Sequence, residues 1–194
     1  MNNQIKFLFL FSFILLSFLS CEKEPEVISG CIDPLGDNYN AQATIDNSSC
    51  TFQKRFLGDY NGEFKCKGVF ATVFSMAQVS IIELIKKDEV NIIIQSAIGP
   101  LPVMGKLTKN EVIVDALLPN VKVKVGDVIP GGGDAQVLCD GKVKTTLSIS
   151  ADNKILTGLI KLDLTTKEAV VVGFFPIPVG YVLGDECDFK GTKK

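Results

Sequence analysis

From Lys54 onward the chain is patterned in short runs in which apolar and polar residues alternate, separated by polar or glycine-containing turns. In the run from Tyr60 to Phe70, Tyr60, Phe64 and Cys66 share one parity while Glu63, Lys65 and Lys67 share the other, which predicts a strand with one solvated face. Val79 to Ile85 and Val90 to Ile98 flank the polar stretch Lys86-Lys87-Asp88-Glu89 and predict a hairpin. Met104 to Thr108 and Glu111 to Leu117 flank Lys109-Asn110 and predict another. Val121 to Val125 alternates cleanly, and Gly126 and Gly131-Gly132-Gly133 bound the segment that follows. Val143 to Ser150 and Ile155 to Leu164 lie either side of Ala151-Asp152-Asn153-Lys154, and Ala169 to Phe175 and Gly180 to Gly191 close the series. Within Met76 to Lys87 the spacing of Ile81, Ile82, Leu84 and Ile85 also fits a short helix. Many short strands at even spacing with no long amphipathic helix predict an all-β domain over residues 54–194, either a closed barrel or a sandwich, the two common ways of managing sheet edges.

The N-terminal stretch, 1–20, is patterned differently. One positive charge, Lys6, precedes an apolar run from Phe7 to Leu19 broken only by Ser12 and Ser17, the charge and hydrophobicity of a signal peptide. The run falls short of the roughly 20 residues that span a membrane. Phe18-Leu19-Ser20-Cys21 resembles the lipobox of bacterial lipoproteins, in which a small residue precedes the cysteine that receives a diacylglyceryl group. The resemblance implies lipidation at Cys21, with residues 21–30 serving as anchor and tether. Glu22-Lys23-Glu24-Pro25-Glu26 reads as a solvated spacer and also resembles the acidic surface-export signals of Bacteroidetes-type lipoproteins. The expected location is therefore outside the cytoplasm, bound by lipid to the outer membrane on its periplasmic face or at the cell surface. There the remaining cysteines, Cys31, Cys50, Cys66, Cys139 and Cys187, can oxidise.

Residues 31–53 form a third region with few core-forming side chains. Gly30-Cys31-Ile32-Asp33-Pro34, Asn38-Tyr39-Asn40 and Ala43 to Cys50 resemble a short cysteine-bounded segment of exported Bacteroidetes-type proteins. With so small a core, a Cys31–Cys50 disulfide is the expected staple, worth about 3 kcal/mol in the chain-entropy model. Asp33, Asp37, Asn38, Asn40 and Asp46, with Asn47, supply enough oxygen atoms to be candidate Ca²⁺ ligands, since calcium takes six to eight oxygens. The same residue types equally serve as turn formers and caps.

Composition narrows the chemistry. Lysine and arginine total 20 against 22 aspartates and glutamates, a formal charge of −2, so the basic excess of a nucleic-acid binder is lacking. The chain has no histidine, which removes the commonest general base and the imidazole metal ligand. Neither a Gly-x-Ser-x-Gly nucleophile motif nor a Cys-x-x-Cys pair occurs. The acidic cluster Asp185-Glu186-x-Asp188 reads as a solvated strand end, and Gly131-Gly132-Gly133-Asp134 lacks the lysine and the helix context of a phosphate loop. The chain is expected not to be an enzyme.

Phe56-Leu57-Gly58-Asp59-Tyr60-Asn61-Gly62, the segments Gly99 to Val103 and Pro176 to Val179, Leu156-Thr157-Gly158 and the closing Phe189 to Lys193 resemble the calycin-like β-barrel domain of Bacteroidetes-type lipoproteins. The resemblance implies a lipocalin-like up-and-down barrel. In such a barrel the first and last strands are neighbours, so Cys66 and Cys187 are expected to form the second disulfide, with Cys139 a free thiol beside an Asp140-Gly141 turn. Aliphatics are abundant from Ile92 to Val128 and from Ala169 to Val179, which suggests two readings. In one, the barrel holds a lipid or other hydrophobic small molecule against Phe64, Ile93, Val112, Leu147, Leu159 and Phe174. In the other, the interior is packed and the surplus forms an interface with a surface protein partner. An eight-stranded barrel accommodates either.

Overall fold

The computed structural model describes residues 24–74, 78–129 and 131–194. The expected signal peptide and Cys21 lie outside these residues. Two short strands, β1 (Ser29–Gly30) and β2 (Ile45–Asp46), pair in parallel within the N-terminal module. A single helical turn over Gln53–Phe56 leads into β3 (Gly58–Cys66). There follow β4 (Gln78–Glu83), β5 (Glu89–Ile94), β6 (Leu101–Leu107), β7 (Glu111–Lys124), β8 (Gln136–Ile149) and β9 (Ile155–Thr166). After a small excursion formed by β10 (Val170–Val172) and β11 (Phe175–Ile177), β12 (Val182–Lys193) completes the chain. Strands β3 to β9 and β12 form a closed antiparallel barrel in which β12 lies between β9 and β3. The all-β reading is thus realised as an up-and-down barrel preceded by a disulfide-bonded module.

Alternation decides which side chains enter the barrel. On β5, Val90, Ile92 and Ile94 are fully buried, and on β9 the even-numbered Leu156, Ile160, Leu162 and Leu164 do the same. Along β3 and just past it the parity read from the sequence holds, with Tyr60 buried and Glu63, Lys65 and Lys67 exposed. The polar runs between strands become tight turns at one end, the base. Asn153 there has a positive φ, a conformation asparagine tolerates because its side chain can bond locally.

Three sequence expectations change. The described part of Met76 to Lys87 contains strand β4 rather than a helix, because Val79 and Ile81 bury while Ile82 remains exposed. Glu111 to Leu117 and Val121 to Lys124 join into one strand, and Val125 instead opens a short helical turn over Val125–Val128. The register shifts between Leu118 and Val121, where Asn120 has a positive φ, so Pro119-Asn120 makes a bulge and not a turn. Cys139-Asp140-Gly141 is likewise not a turn but mid-strand in β8. A β-carbon on Gly141 would meet Leu118 Cβ at 3.1 Å and Leu164 Cδ2 at 3.4 Å, so this glycine serves packing.

The base is sewn shut by the helical turn that precedes the barrel. Gln53 is fully buried, and its side-chain amide donates to the carbonyls of Leu84 at 2.9 Å, Lys86 at 3.1 Å and Glu89 at 2.8 Å, around the β4–β5 turn. Arg55, 6% exposed, donates to the Lys109 carbonyl at 2.6 Å, to Asn110 Oδ1 at 3.0 Å and to Asn153 Oδ1 at 3.0 Å. It thereby ties the β6–β7 turn to the β8–β9 turn. Tyr60 donates its hydroxyl to the Phe56 carbonyl at 2.7 Å, and burial pushes its ionisation well above the ordinary tyrosine value. The opposite end carries the longer connections. Phe70, Val73 and Phe74 from the β3–β4 loop and Val125 and Val128 from the β7–β8 loop are buried there.

Candidate functional site

The interior is filled by side chains. Gly105 faces inward on β6, and a β-carbon there would lie 2.3 Å from Val112 Cγ1 and 3.1 Å from Ile92 Cδ1. Gly191 on β12 faces Phe189 Cζ at 2.5 Å and Tyr60 Cβ at 3.1 Å in the same way. Glycine is required at both positions because neighbouring side chains already occupy the space. Phe64 stacks on Phe74 and Phe189, with ring centroids 5.0 and 4.7 Å apart. Thr145 also points inward from β8, and its buried hydroxyl has no hydrogen-bond partner among the described residues.

Of the six residues expected to line a lumen, Phe64, Val112 and Leu147 face the interior as parts of this packing. Ile93, Leu159 and Phe174 do not. Ile93 lies between the buried Ile92 and Ile94 and so points outward, and an unbroken isoleucine run offers no alternation to reveal that. Leu159 has the outward parity on β9 and is 37% exposed. Phe174 lies outside the barrel altogether, at the tip of the β10–β11 hairpin, and is 99% exposed.

That hairpin is where much of the apolar surplus resides. From Ala169 to Gly184 there is no charged residue, and Val171, Phe175, Val179, Tyr181 and Val182 are exposed along with Phe174. The stem is pinned by Thr166, a residue the sequence reading passed over. Its hydroxyl donates to the Pro178 carbonyl at 2.7 Å and accepts the Tyr181 N–H at 3.0 Å, while its main chain bonds Gly180 and Tyr181. The threonine pair at the end of β9 carried no signal separating a stem pin from an ordinary strand residue. Between the hairpin and the β7–β8 loop, Ile129, Gly131, Val172, Phe174, Phe175 and Ile177 line a shallow cleft of about 390 Å³.

A second exposed feature lies on the outer wall, where a groove of about 680 Å³ runs over β6 and β7. Its rim carries Met104, Ile113 and Leu117, all exposed.

In the N-terminal module Cys31 and Cys50 are joined. The candidate calcium ligands are engaged in local structure. The Oδ1 atoms of Asp33, Asn40 and Asp46 accept the N–H groups of Leu35, Gln42 and Ser48 at 3.0 Å, each two residues on. Asn47 does the same for Ser49 at 3.1 Å. Asn38 bonds the main chain of Ser49 and Thr51, and Asp37 accepts the Lys54 N–H at 3.1 Å. The Asp33 carboxylate also pairs with Lys109, which holds its pKa below the usual carboxylate value. Among the described residues the carboxylates of Asp33, Asp37 and Asp46 do not gather into a shared site. The arrangement is that of turn formers, and the contacts to Lys54 and Lys109 fasten the module beside the barrel base.

At the loop end Cys66 and Cys187, direct partners in the β3–β12 register, form the second disulfide. Asp185 lies near them, but both sulfur atoms are committed to each other. Its carboxylate accepts the N–H groups of Gly68 at 3.0 Å and Phe70 at 2.9 Å, which fixes the start of the β3–β4 loop. Cys139 is a buried free thiol on the inward face of β8, and burial pushes its pKa up, so little reactive thiolate forms.

No family model, no curated protein and no solved structure matches this chain. What the molecule itself defines is a closed eight-stranded antiparallel barrel with two disulfides. Among the described residues no helix is long and apolar enough to cross a membrane.

Proposed function

We propose that the protein is a non-enzymatic lipoprotein of the calycin-like barrel type, anchored through Cys21 outside the cytoplasm, whose barrel is a rigid support presenting its loop end to a protein partner at the cell surface. The observation that carries this reading is the placement of apolar side chains. The interior has no room for a β-carbon at Gly105 or Gly191, whereas Phe174 and Phe175 are 99% and 78% exposed on an uncharged hairpin. Contiguous exposed apolar side chains of this kind mark interaction sites in soluble proteins. The module's attachment at the base further supports the geometry, because a tether entering there leaves the hairpin at the far end of the barrel. The hydrophobic-ligand reading draws on the same surplus of aliphatics but requires space inside the barrel.

A photo-crosslinking residue placed at Phe174 in cells, combined with native mass spectrometry of the purified protein, tests the proposal. The expected result is a crosslinked protein partner and an unliganded mass. A lipid or other apolar molecule bound one to one, without a protein crosslink, would overturn it in favour of a barrel ligand. Cys21→Ser should abolish labelling by a fatty-acid probe and release the protein from membranes, and unchanged labelling would remove the anchor from the proposal.

A further inference from the structure

Where the first and last strands of the barrel meet, three atoms able to ligate a metal lie side by side. Cys66 ends β3, Cys187 lies on β12, and the two are direct partners in the β3–β12 register. The Lys67 N–H donates to the Glu186 carbonyl at 3.1 Å, so the next pair along is a hydrogen-bonded one. Cys66 and Cys187 are therefore a non-hydrogen-bonded pair, the kind whose side chains lie closest across an antiparallel ladder. Asp185 stands two residues before Cys187 on β12, so its side chain takes the same face. The two sulfur atoms and a carboxylate oxygen of Asp185 all lie within 4.8 Å of one another.

The barrel holds these cysteines together as well as their own bond does. Strand β12 pairs with β3 over seven residues and with β9 over eleven, and those ladders keep both backbones in register when the sulfurs are parted. Cys66 is half-buried and Cys187 fully buried, so an incoming thiolate reaches the Cys66 sulfur first. Asp185 has a lone pair to spare. A carboxylate offers about four acceptor positions, and the N–H groups of Gly68, Phe70 and Glu186 take three of them. Two thiolates and a carboxylate are a donor set that Zn²⁺ accepts, at about 2.3 Å to sulfur and about 2.0–2.2 Å to oxygen. In a tetrahedral site those bonds set the ligand atoms roughly 3.5–4 Å apart, a spacing that side chains of directly opposed residues reach without moving the backbone.

We infer that Cys66, Cys187 and Asp185 form a redox-gated site for a thiophilic divalent cation of the Zn²⁺ class, shut while the disulfide stands and opened by a dithiol reductant. A thiolate of the reductant attacks Cys66 Sγ, the S–S bond breaks, and Cys187 leaves as a thiolate. The reductant's second thiol then attacks the mixed disulfide. That step frees Cys66 and leaves the reductant as its own cyclic disulfide, an electron pair having passed to the protein. Zn²⁺ binds both sulfurs and the Asp185 carboxylate, the thiol protons go to solvent, and water takes the fourth position. The ion replaces the covalent link between the first and last strands with a coordinate one. The site goes beyond the interaction reading and does not depend on any partner at the hairpin.

The test uses the full chain carrying Cys21→Ser, Cys31→Ser and Cys50→Ser, reduced with dithiothreitol, freed of it without oxygen, and titrated with Zn²⁺ against a chromogenic chelator. The reduced protein should take up one Zn²⁺ per chain at least about 100-fold more tightly than the oxidised protein. Asp185→Asn, whose amide oxygen still accepts the loop N–H groups, should weaken binding at least about tenfold. Cys66→Ser should abolish it, and Cys139→Ser should leave it unchanged. Co²⁺ in place of Zn²⁺ should give the near-ultraviolet thiolate-to-metal absorption in the reduced parent and not in Cys66→Ser. The inference is overturned if the reduced chain takes up no Zn²⁺, if Asp185→Asn binds as tightly as the parent, or if Cys139→Ser abolishes uptake. It is equally overturned if reduction collapses the dispersed amide NMR spectrum before metal is added, because the ladders would then not hold the thiols in place. A hairpin crosslink at Phe174 is unaffected by any of these outcomes.

Discussion

The two ends of the barrel solve the same closure problem with different materials. At the base, short turns converge on two buried polar side chains, Gln53 and Arg55, which satisfy carbonyl and amide oxygens of three turns. At the loop end, closure relies on apolar side chains, Phe70, Val73, Phe74, Val125 and Val128, with a disulfide and the Asp185 carboxylate fixing the loop entry. Polar closure demands matched geometry at every atom, so little there is free to vary or to bind. Apolar closure is non-directional, and it tolerates the long loops and projecting hairpin that expose Phe174 and Phe175. The molecule is thus divided into an end built for cohesion and an end built for contact.

This division is best broken by removing its fastenings one at a time. Replacing both Cys66 and Cys187 by alanine releases a loop of 121 residues and should cost about 4 kcal/mol, read as a large fall in melting temperature under non-reducing conditions. The same exchange at Cys31 and Cys50 should loosen the N-terminal module and leave the barrel transition in place. At the base, Arg55→Ala removes a buried guanidinium and its three hydrogen bonds to the β6–β7 and β8–β9 turns and should cost about 2 kcal/mol, with little recovery in Arg55→Lys because an ammonium group cannot reproduce the guanidinium fork. Denaturant titration checks both, and a loss below about 1 kcal/mol for Arg55→Ala would show that the base is not held by its polar stitching.

Smaller effects sharpen the picture of a packed interior. At Gly105 there is no free space beside Val112 and Ile92. Inserting side-chain volume with Gly105→Val should destabilise the protein by roughly 1–3 kcal/mol, the usual cost of overpacking a filled core. A hollow barrel would absorb the same change without loss. Thr145→Val replaces an unpartnered buried hydroxyl by a methyl group of similar size and should raise stability by about 1 kcal/mol. The smallest effect is expected at the contact end. Phe174→Asp with Phe175→Asp should change stability by less than about 0.5 kcal/mol while abolishing partner crosslinking. A marked loss of stability in that double variant would mean that the hairpin belongs to the core.

The β pattern was legible wherever one face of a strand is solvated. Tyr60, Phe64 and Cys66 alternate with Glu63, Lys65 and Lys67, and Lys109-Asn110 stands between two alternating runs, so β3 and the β6–β7 turn followed from the residues alone. Legibility failed where both faces were apolar. The isoleucines from Ile92 to Ile94 carry no parity, and the inward and outward members could be told apart only when β5 was paired on both sides. It failed again at Asp140-Gly141, because a glycine that signals a turn and one that admits a neighbour's side chain are identical in sequence.

By itself, then, the sequence determined the class of structure, the change of texture between the N-terminal module and the barrel, and the lack of histidine chemistry, since each depends on composition or on periodicity within one segment. Tertiary structure alone decided that the interior is filled, that the hairpin stands outside the wall, and that Arg55 joins two distant turns. Each of these depends on which residues from separate strands meet. Pairing across a barrel is set by the summed fit of all its strands, and no local window of the chain contains that sum.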